Sequence, residues 1–341
     1  MVEIVIAFLY LSILMYLLFG GADFGAGIIE LFTSNDKKDR TRQLTYQAIG
    51  PIWEANHMWL IIAIVILFVG FPTIYTTVSI FLHIPVSLLL LGIIARGTAF
   101  IFRHYDPERG KIQVLYNSIF VYSSFLSPLF LGILAGTVIS GRIDLEAGSF
   151  VDAYVIPWLG LFPLSVGLFT VAICGYLAAV FLIGEADNEG DQITFRKKAI
   201  RMNILTVVAG GIVFVAAKWE GIPLLEGLLD NTMSILALVL ASISLPLTWK
   251  FLLKNQHILA RLLAGFQVSM ILFALFYSIH PSILIFKDGT MGLKEAAAGL
   301  ATMNALGIAL LVGSVFIIPS LIYLIYSFQK RPIGVLGGRR K

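Results

Sequence analysis

The chain has 341 residues, of which 58% are hydrophobic and 13% charged, with a net charge of +4 and a mean hydropathy of +0.91. Soluble domains carry about a quarter charged residues, so the composition excludes an ordinary soluble domain and points to a polytopic membrane protein. The single cysteine, Cys174, lies in an apolar segment, which excludes intrachain disulfides and Cys-clustered metal sites, and five histidines limit metal chemistry further.

Taking about 20 apolar residues per crossing, the sequence predicts an all-α protein of nine transmembrane helices. They run Ile4 to Phe32, Ile52 to Gly70, Tyr75 to Phe102, Gln113 to Ser140, Tyr154 to Gly184, Ala199 to Ala217, Met233 to Leu253, Ile258 to Ile279 and Gly299 to Phe328. The first run opens on the acidic Met1-Val2-Glu3 and continues into a Gly-rich segment, so it is expected to stay as a helix and not to be cleaved as a signal. Pro85, Pro128, Pro163, Pro246 and Pro319 fall inside the expected spans, where neighbouring helices can satisfy the carbonyls they free. The longest polar connection, Glu185 to Lys198, reads as a short acidic-then-basic loop.

Lysine and arginine set the orientation. One set of connections holds Lys37, Lys38, Arg40 and Arg42, then Arg103, Arg109 and Lys111, then Arg196 to Arg201, then Lys250, Lys254 and Arg261, and finally the tail from Lys330 to Lys341. The other set holds only Arg142, Lys218, Lys287 and Lys294. The N-terminus is therefore expected outside and the C-terminus in the cytoplasm, with 329–341 a basic cytoplasmic tail. The positive charge is thus a topology signal, and no nucleic-acid partner is expected. Spans one to four and five to eight each begin and end outside. This predicts two parallel four-helix units, 1–140 and 154–279, with a peripheral ninth helix at 299–328.

Few charged groups lie within the spans, and each has a cost there of a few kcal/mol on the lenient insertion scale. At 1.5 Å per helical residue, Asp23 is about 21 Å from Lys37, Glu54 about 18 Å from Arg42 and Arg96 about 10 Å from Arg103. These depths let Asp23, Glu54 and Arg96 meet, with Arg96 compensating Asp23 or Glu54. His57 follows Glu54 by three residues, on nearly the same helix face. Glu30 sits nearer the basic connection, where it snorkels or pairs at the interface. The cluster is open to two readings: a proton relay through Glu54, Asp23 and His57 with Arg96 in charge compensation, or a buried network that fixes helix packing. In Phe19 to Gly27, Gly20, Gly21 and Gly25 supply small surfaces for close helix packing. A secondary transporter with an Asp/Glu/Arg site is an alternative at this point.

Three segments carry a resemblance. Phe19-Gly20-Gly21-Ala22-Asp23-Phe24-Gly25, then Gly50-Pro51-Ile52-Trp53-Glu54-Ala55-Asn56-His57-Met58-Trp59-Leu60, and Ala95-Arg96-Gly97-Thr98-Ala99-Phe100 with Phe102-Arg103 resemble subunit II of cytochrome bd quinol oxidases. The resemblance runs the length of the chain. Some members have Asp at the position of Glu54 and Gln at that of His57, so the acid is kept and an imidazole is not required. It implies a bacterial plasma-membrane complex that oxidises a quinol and reduces dioxygen to water. It further implies haems b and d in subunit I, none ligated by this chain, with subunit II as a pseudo-symmetric supporting partner. Membrane lipids and a small accessory subunit complete the expected partners. In that setting Glu54 is the expected carboxylate on a cytoplasmic proton route; a purely structural partner subunit is the other reading.

Overall fold

The computed structural model describes residues 1–50, 53–105, 110–186 and 188–329. Among them, nine helices are long and apolar enough to cross a membrane. The calls on Pro51, Ile52, Arg109 and the tail 330–341 lie outside the described residues.

The first span is α1 (Val2–Met15), a π-helical turn (Tyr16–Gly20) and α2 (Gly21–Leu31). A π-turn inserts a residue into the ladder and redirects the helix. Its two halves accordingly have different neighbours: α1 packs on α4 (Trp53–Gly70) and α14 (Leu300–Gln329), whereas α2 packs on α7 (Lys111–Ile139) and α9 (Leu161–Ile183). The α2/α9 crossing is close because a Cβ on Gly25 would run into the Cys174 carbonyl and Ala178. Gly21 lies in ordinary contact with Cys174 and Leu177, while the space at Gly20 is taken by the ring of Tyr16 in its own turn. Gly25 is thus the tight helix contact, and Gly20 serves the π-turn instead.

Four expectations about element bounds are corrected. The connection after the first span contains α3 (Asn35–Ile49), an amphipathic helix whose Thr41, Leu44 and Thr45 are buried. The stretch expected as the third span is two helices, α5 (Pro72–Phe81) and α6 (His83–Tyr105), broken at Leu82, and the crossing itself is His83–Arg103. Pro85 explains the break, because a proline ring clashes with the carbonyl four residues back but is tolerated in a first turn. Pro163 acts likewise: after the short α8 (Phe150–Tyr154), α9 starts at Leu161, seven residues later than Tyr154. Its free N–H groups at Leu161 and Phe162 donate to the Glu220 carboxylate, at 2.7 and 3.3 Å.

The fourth correction concerns Glu185 to Lys198, most of which is helical. In α10 (Glu189–Trp219), Asn188 caps the start by accepting from the Asp191 N–H at 2.7 Å, and Glu189 and Asp191 favour the positive helix end. Hydropathy had marked only the lipid-spanning part of a longer helix. The chain continues through α11 (Leu224–Asp230), α12 (Thr232–Leu253) and α13 (His257–Ile279). A hairpin of β1 (Ser282–Phe286) and β2 (Gly289–Gly292) then precedes α14 and adds a small antiparallel sheet to the all-α architecture.

Within the first four spans, α1 packs on α4, α6 on α7 and α2 on α7; within the next four, α9 packs on α10, α12 on α13 and α9 on α13. α9, in the middle of the chain, is also the most enclosed span. One face of the bundle carries α3 and the basic connections and is termed the basic face. The other carries the hairpin, Asp144 and Glu220 and is termed the hairpin face.

Candidate functional site

A charged cluster lies where α2, α4, α6 and α7 converge. Asp23 and Arg96 are both 1% exposed. The Arg96 Nη2 group donates to Asp23 Oδ1 at 2.7 Å and to the Asp23 carbonyl at 3.0 Å, while its Nε donates to Ser124 Oγ at 3.1 Å. The guanidinium also lies 5.2 Å from the ring centroids of Phe24 and Phe120, where cation–π attraction adds to the pairing. The structure therefore selects Asp23 from the two expected partners of Arg96. His57 Nε2 stands 3.6 Å from Asp23 Oδ2, beyond hydrogen-bond distance. Its ring is enclosed by Tyr16, Phe24 and Trp53, with centroids 6.0, 5.7 and 6.2 Å away.

Glu54 departs from the expected arrangement. It is exposed and has no hydrogen bond or ion pair among the described residues, so the structure does not bring it into the Asp23/Arg96 network. The reason is helical phase: His57 turns toward Asp23, whereas Glu54 turns toward the surface stripe formed by Ile61, Val65 and Phe68, exposed by 61%, 45% and 60%. Those positions follow Glu54 by seven, eleven and fourteen residues, which keeps them on one helix face. Glu54 is the polar end of an apolar surface.

Toward the basic face, Glu30 is 0% exposed and pairs with two arginines, Arg42 at 2.6 Å and Arg103 at 3.0 Å. The expected interfacial pairing is present, but burial is complete because α3 folds back over the end of α2. Sequence reasoning gave this group little weight, and the missed signal was α3 itself. Tyr16 was also missed; its hydroxyl, Asp23 Oδ2, His57 Nδ1 and Arg96 Nη1 are buried without hydrogen-bond partners among the described residues.

Among the described residues no group of three or more His, Cys, Asp and Glu is placed to hold a metal ion. A haem needs an axial His, Met, Cys or Tyr. Of the candidates nearest the cluster, His57 is aimed at Asp23 and walled by aromatic rings, Cys174 is packed at the α2/α9 crossing, and the Tyr16 ring lies against Gly20 in its own turn.

Fold and site together define a multi-pass helical membrane protein with a buried carboxylate–guanidinium pair and a second carboxylate on an uncovered apolar face. Residues 1–328 match the family model described as cytochrome bd terminal oxidase subunit II, and the chain belongs to that family. It is a subunit of a bacterial membrane quinol oxidase. It is 24% identical over 319 residues to cytochrome bd ubiquinol oxidase subunit 2 of Bacillus subtilis, covering 91% of this chain and 90% of that protein. A putative cytochrome bd menaquinol oxidase subunit II from the same organism is 22% identical, with 96% and 95% covered. The solved bd oxidase from Geobacillus thermodenitrificans contains a chain of the same fold, with a TM-score of 0.78, 22% identity and coverage of 96% and 98%. Family membership sets aside the transporter reading.

Proposed function

We propose that this chain packs through the Glu54 stripe against the haem-bearing subunit I and that Glu54 relays protons along that contact. The observation that carries the reading is the exposure of Glu54 at the end of the apolar surface stripe of a membrane helix. Glu54 stands in the first turn of α4 at the end of an apolar stripe that lipid alone could cover; it is the carboxylate, which has to face protein or water, that calls for a partner at this point. The basic face supplies protons, His57 stands one helical turn inward of Glu54, and Asp23 with Arg96 sets the field behind it. Haems b and d, held by subunit I and not by this chain, supply the electron-transfer and dioxygen chemistry of the complex. The N-terminus lies outside and the C-terminus in the cytoplasm, in keeping with the basic connections. The matching helix pairs support two four-helix units, 1–140 and 154–279, flanked by 299–328.

The test is Glu54→Gln in the assembled oxidase. Turnover and proton uptake should fall together by roughly tenfold or more, a barrier change of about 1.4 kcal/mol. Unaltered turnover and uptake in a correctly assembled Glu54→Gln complex rejects the relay. Loss of assembly or of haem instead supports the structural reading, which the direct Asp23–Arg96 pair already favours for those two residues.

A further inference from the structure

Two helix junctions flank the α2/α9 crossing, and they are built oppositely. At the α7/α9 junction, Gly132, Gly136 and Gly167 bring backbones together: a Cβ on Gly136 would lie 2.9 Å from Pro163 Cα, and one on Gly167 would lie 2.7 Å from the Leu129 carbonyl. Small residues close the gap between membrane helices in this way. At the α1/α13 junction the facing residues are bulky, and Tyr10 meets Phe276 with ring centroids 4.0 Å apart. The π-turn has meanwhile directed α1 toward α4 and α14. The result is a lengthwise groove of about 470 Å³ between α1 and α13.

The groove is mostly apolar along its length, with Tyr10, Ser269 and Tyr277 also in its wall, and ionic at one end. Ile6, Ala7, Leu14, Leu272 and Phe273 line the shaft, and Glu3, His280 and Lys294 stand at the hairpin face. Lys294 Nζ pairs with Glu3 at 2.6 Å, yet both side chains remain 63% and 71% exposed, and an ammonium has two further donors to offer. Leu272 also borders a second, separate cavity of about 190 Å³ lined by Tyr16.

We propose that this groove is a phospholipid site: one acyl chain lies along α1 and α13, and the headgroup phosphate accepts hydrogen bonds from Lys294 and His280. An acyl chain matches the apolar shaft, and a charged end selects an ionic headgroup over the neutral ring of a quinone. Glu3 offers a carboxylate to the amine of an ethanolamine headgroup. The occupant is independent of the proton-relay role of Glu54.

Mass spectrometry of lipids and quinones extracted from the assembled, detergent-purified oxidase tests the site, comparing wild type with Ala7→Trp and Lys294→Glu. Ala7→Trp fills the shaft and should remove one tightly held phospholipid per complex. Lys294→Glu leaves the shaft open and should lower retention several-fold. Phosphatidylethanolamine vesicles should restore the lipid to delipidated wild type and not to Ala7→Trp. Equal phospholipid content in wild type and Ala7→Trp overturns the proposal, as does loss of a quinone in place of a phospholipid. Lys294 is exposed, so Lys294→Glu gives a result even where Ala7→Trp fails to assemble; phospholipid retention unchanged in that variant also counts against the site.

Discussion

Among the buried polar clusters of the described residues, two each draw on four successive spans. The first joins Asp23, His57, Arg96 and Ser124 on α2, α4, α6 and α7. The second joins Tyr176, Asn203, Trp249 and Gln267 on α9, α10, α12 and α13. In the second, the Tyr176 hydroxyl donates to Gln267 Oε1 at 3.1 Å, Asn203 Nδ2 donates to the same oxygen at 3.5 Å, and Trp249 Nε1 donates to Asn203 Oδ1 at 2.8 Å. It carries no charge, and none of its four residues leaves a fully buried polar atom unpaired among the described residues. The first cluster holds two formal charges and leaves unpaired atoms on Asp23, His57 and Arg96. Buried polar groups are normally satisfied, and exceptions call for an explanation. The neutral network pins helices together with its hydrogen bonds made, whereas the charged one leaves polar atoms without a partner among the described residues.

Breaking the charged cluster should have the largest effect. Arg96→Leu leaves the Asp23 carboxylate buried without its cation, and losing one partner of a buried pair costs about 3–5 kcal/mol. The expected outcome is little or no assembled complex, measured as haem-containing protein recovered from membranes. Removing both charges in Asp23→Leu/Arg96→Leu leaves no stranded ion and should recover much of the yield. Equal failure of the single and double variants would show that the two residues do not act as a pair.

The neutral cluster should respond less and differently. Asn203→Leu deprives Trp249 Nε1 of its acceptor, which costs about 1–3 kcal/mol for a stranded buried donor. Tyr176→Phe removes one neutral hydrogen bond and should cost about 1 kcal/mol. Both should lower the melting temperature of the complex without changing the pH profile of turnover. A shifted profile would place this network on a proton route and erase the distinction between the clusters.

Much of this was legible in the sequence, for physical reasons that also mark where legibility ends. Nine spans follow from hydropathy because lipid tolerates no other way of satisfying the backbone of a single helical crossing. Asp23 and Arg96 were legible because few charges lie in apolar runs, and the cost of burial forces them to find each other. Helix ends outside lipid were not: Asn188 caps α10 ten residues before Lys198, and only local capping chemistry marks that start. The phase of α4 was hidden as well. Glu54 and His57 share a face by spacing, yet three residues correspond to about 300° of rotation. That offset suffices to place one on the surface and the other against Asp23. The neutral network drew no attention because Tyr, Asn, Trp and Gln carry no charge to flag their depth.

The smallest effect is expected where the same acid–base pairing lies in water. On the hairpin face, Lys287 Nζ donates to Asp144 Oδ2 at 2.8 Å, with the lysine side chain 63% exposed. This hydrogen bond, helped by the Glu146 N–H, holds the Asp144 carboxyl below its ordinary value, and the same bond raises the Lys287 ammonium. A lowered carboxyl contributes stability above its unfolded value, lost as pH falls through the folded one. A raised ammonium contributes below its unfolded value, lost as pH rises through the folded one. The pair therefore acts across the whole range from roughly pH 4 to pH 10, but solvent and salt screen it. Lys287→Met should leave the melting temperature of the complex at neutral pH unchanged, and any small difference should vanish in high salt. A loss as large as that of Arg96→Leu would mean that charge pairing itself, and not burial, sets the cost of breaking these contacts.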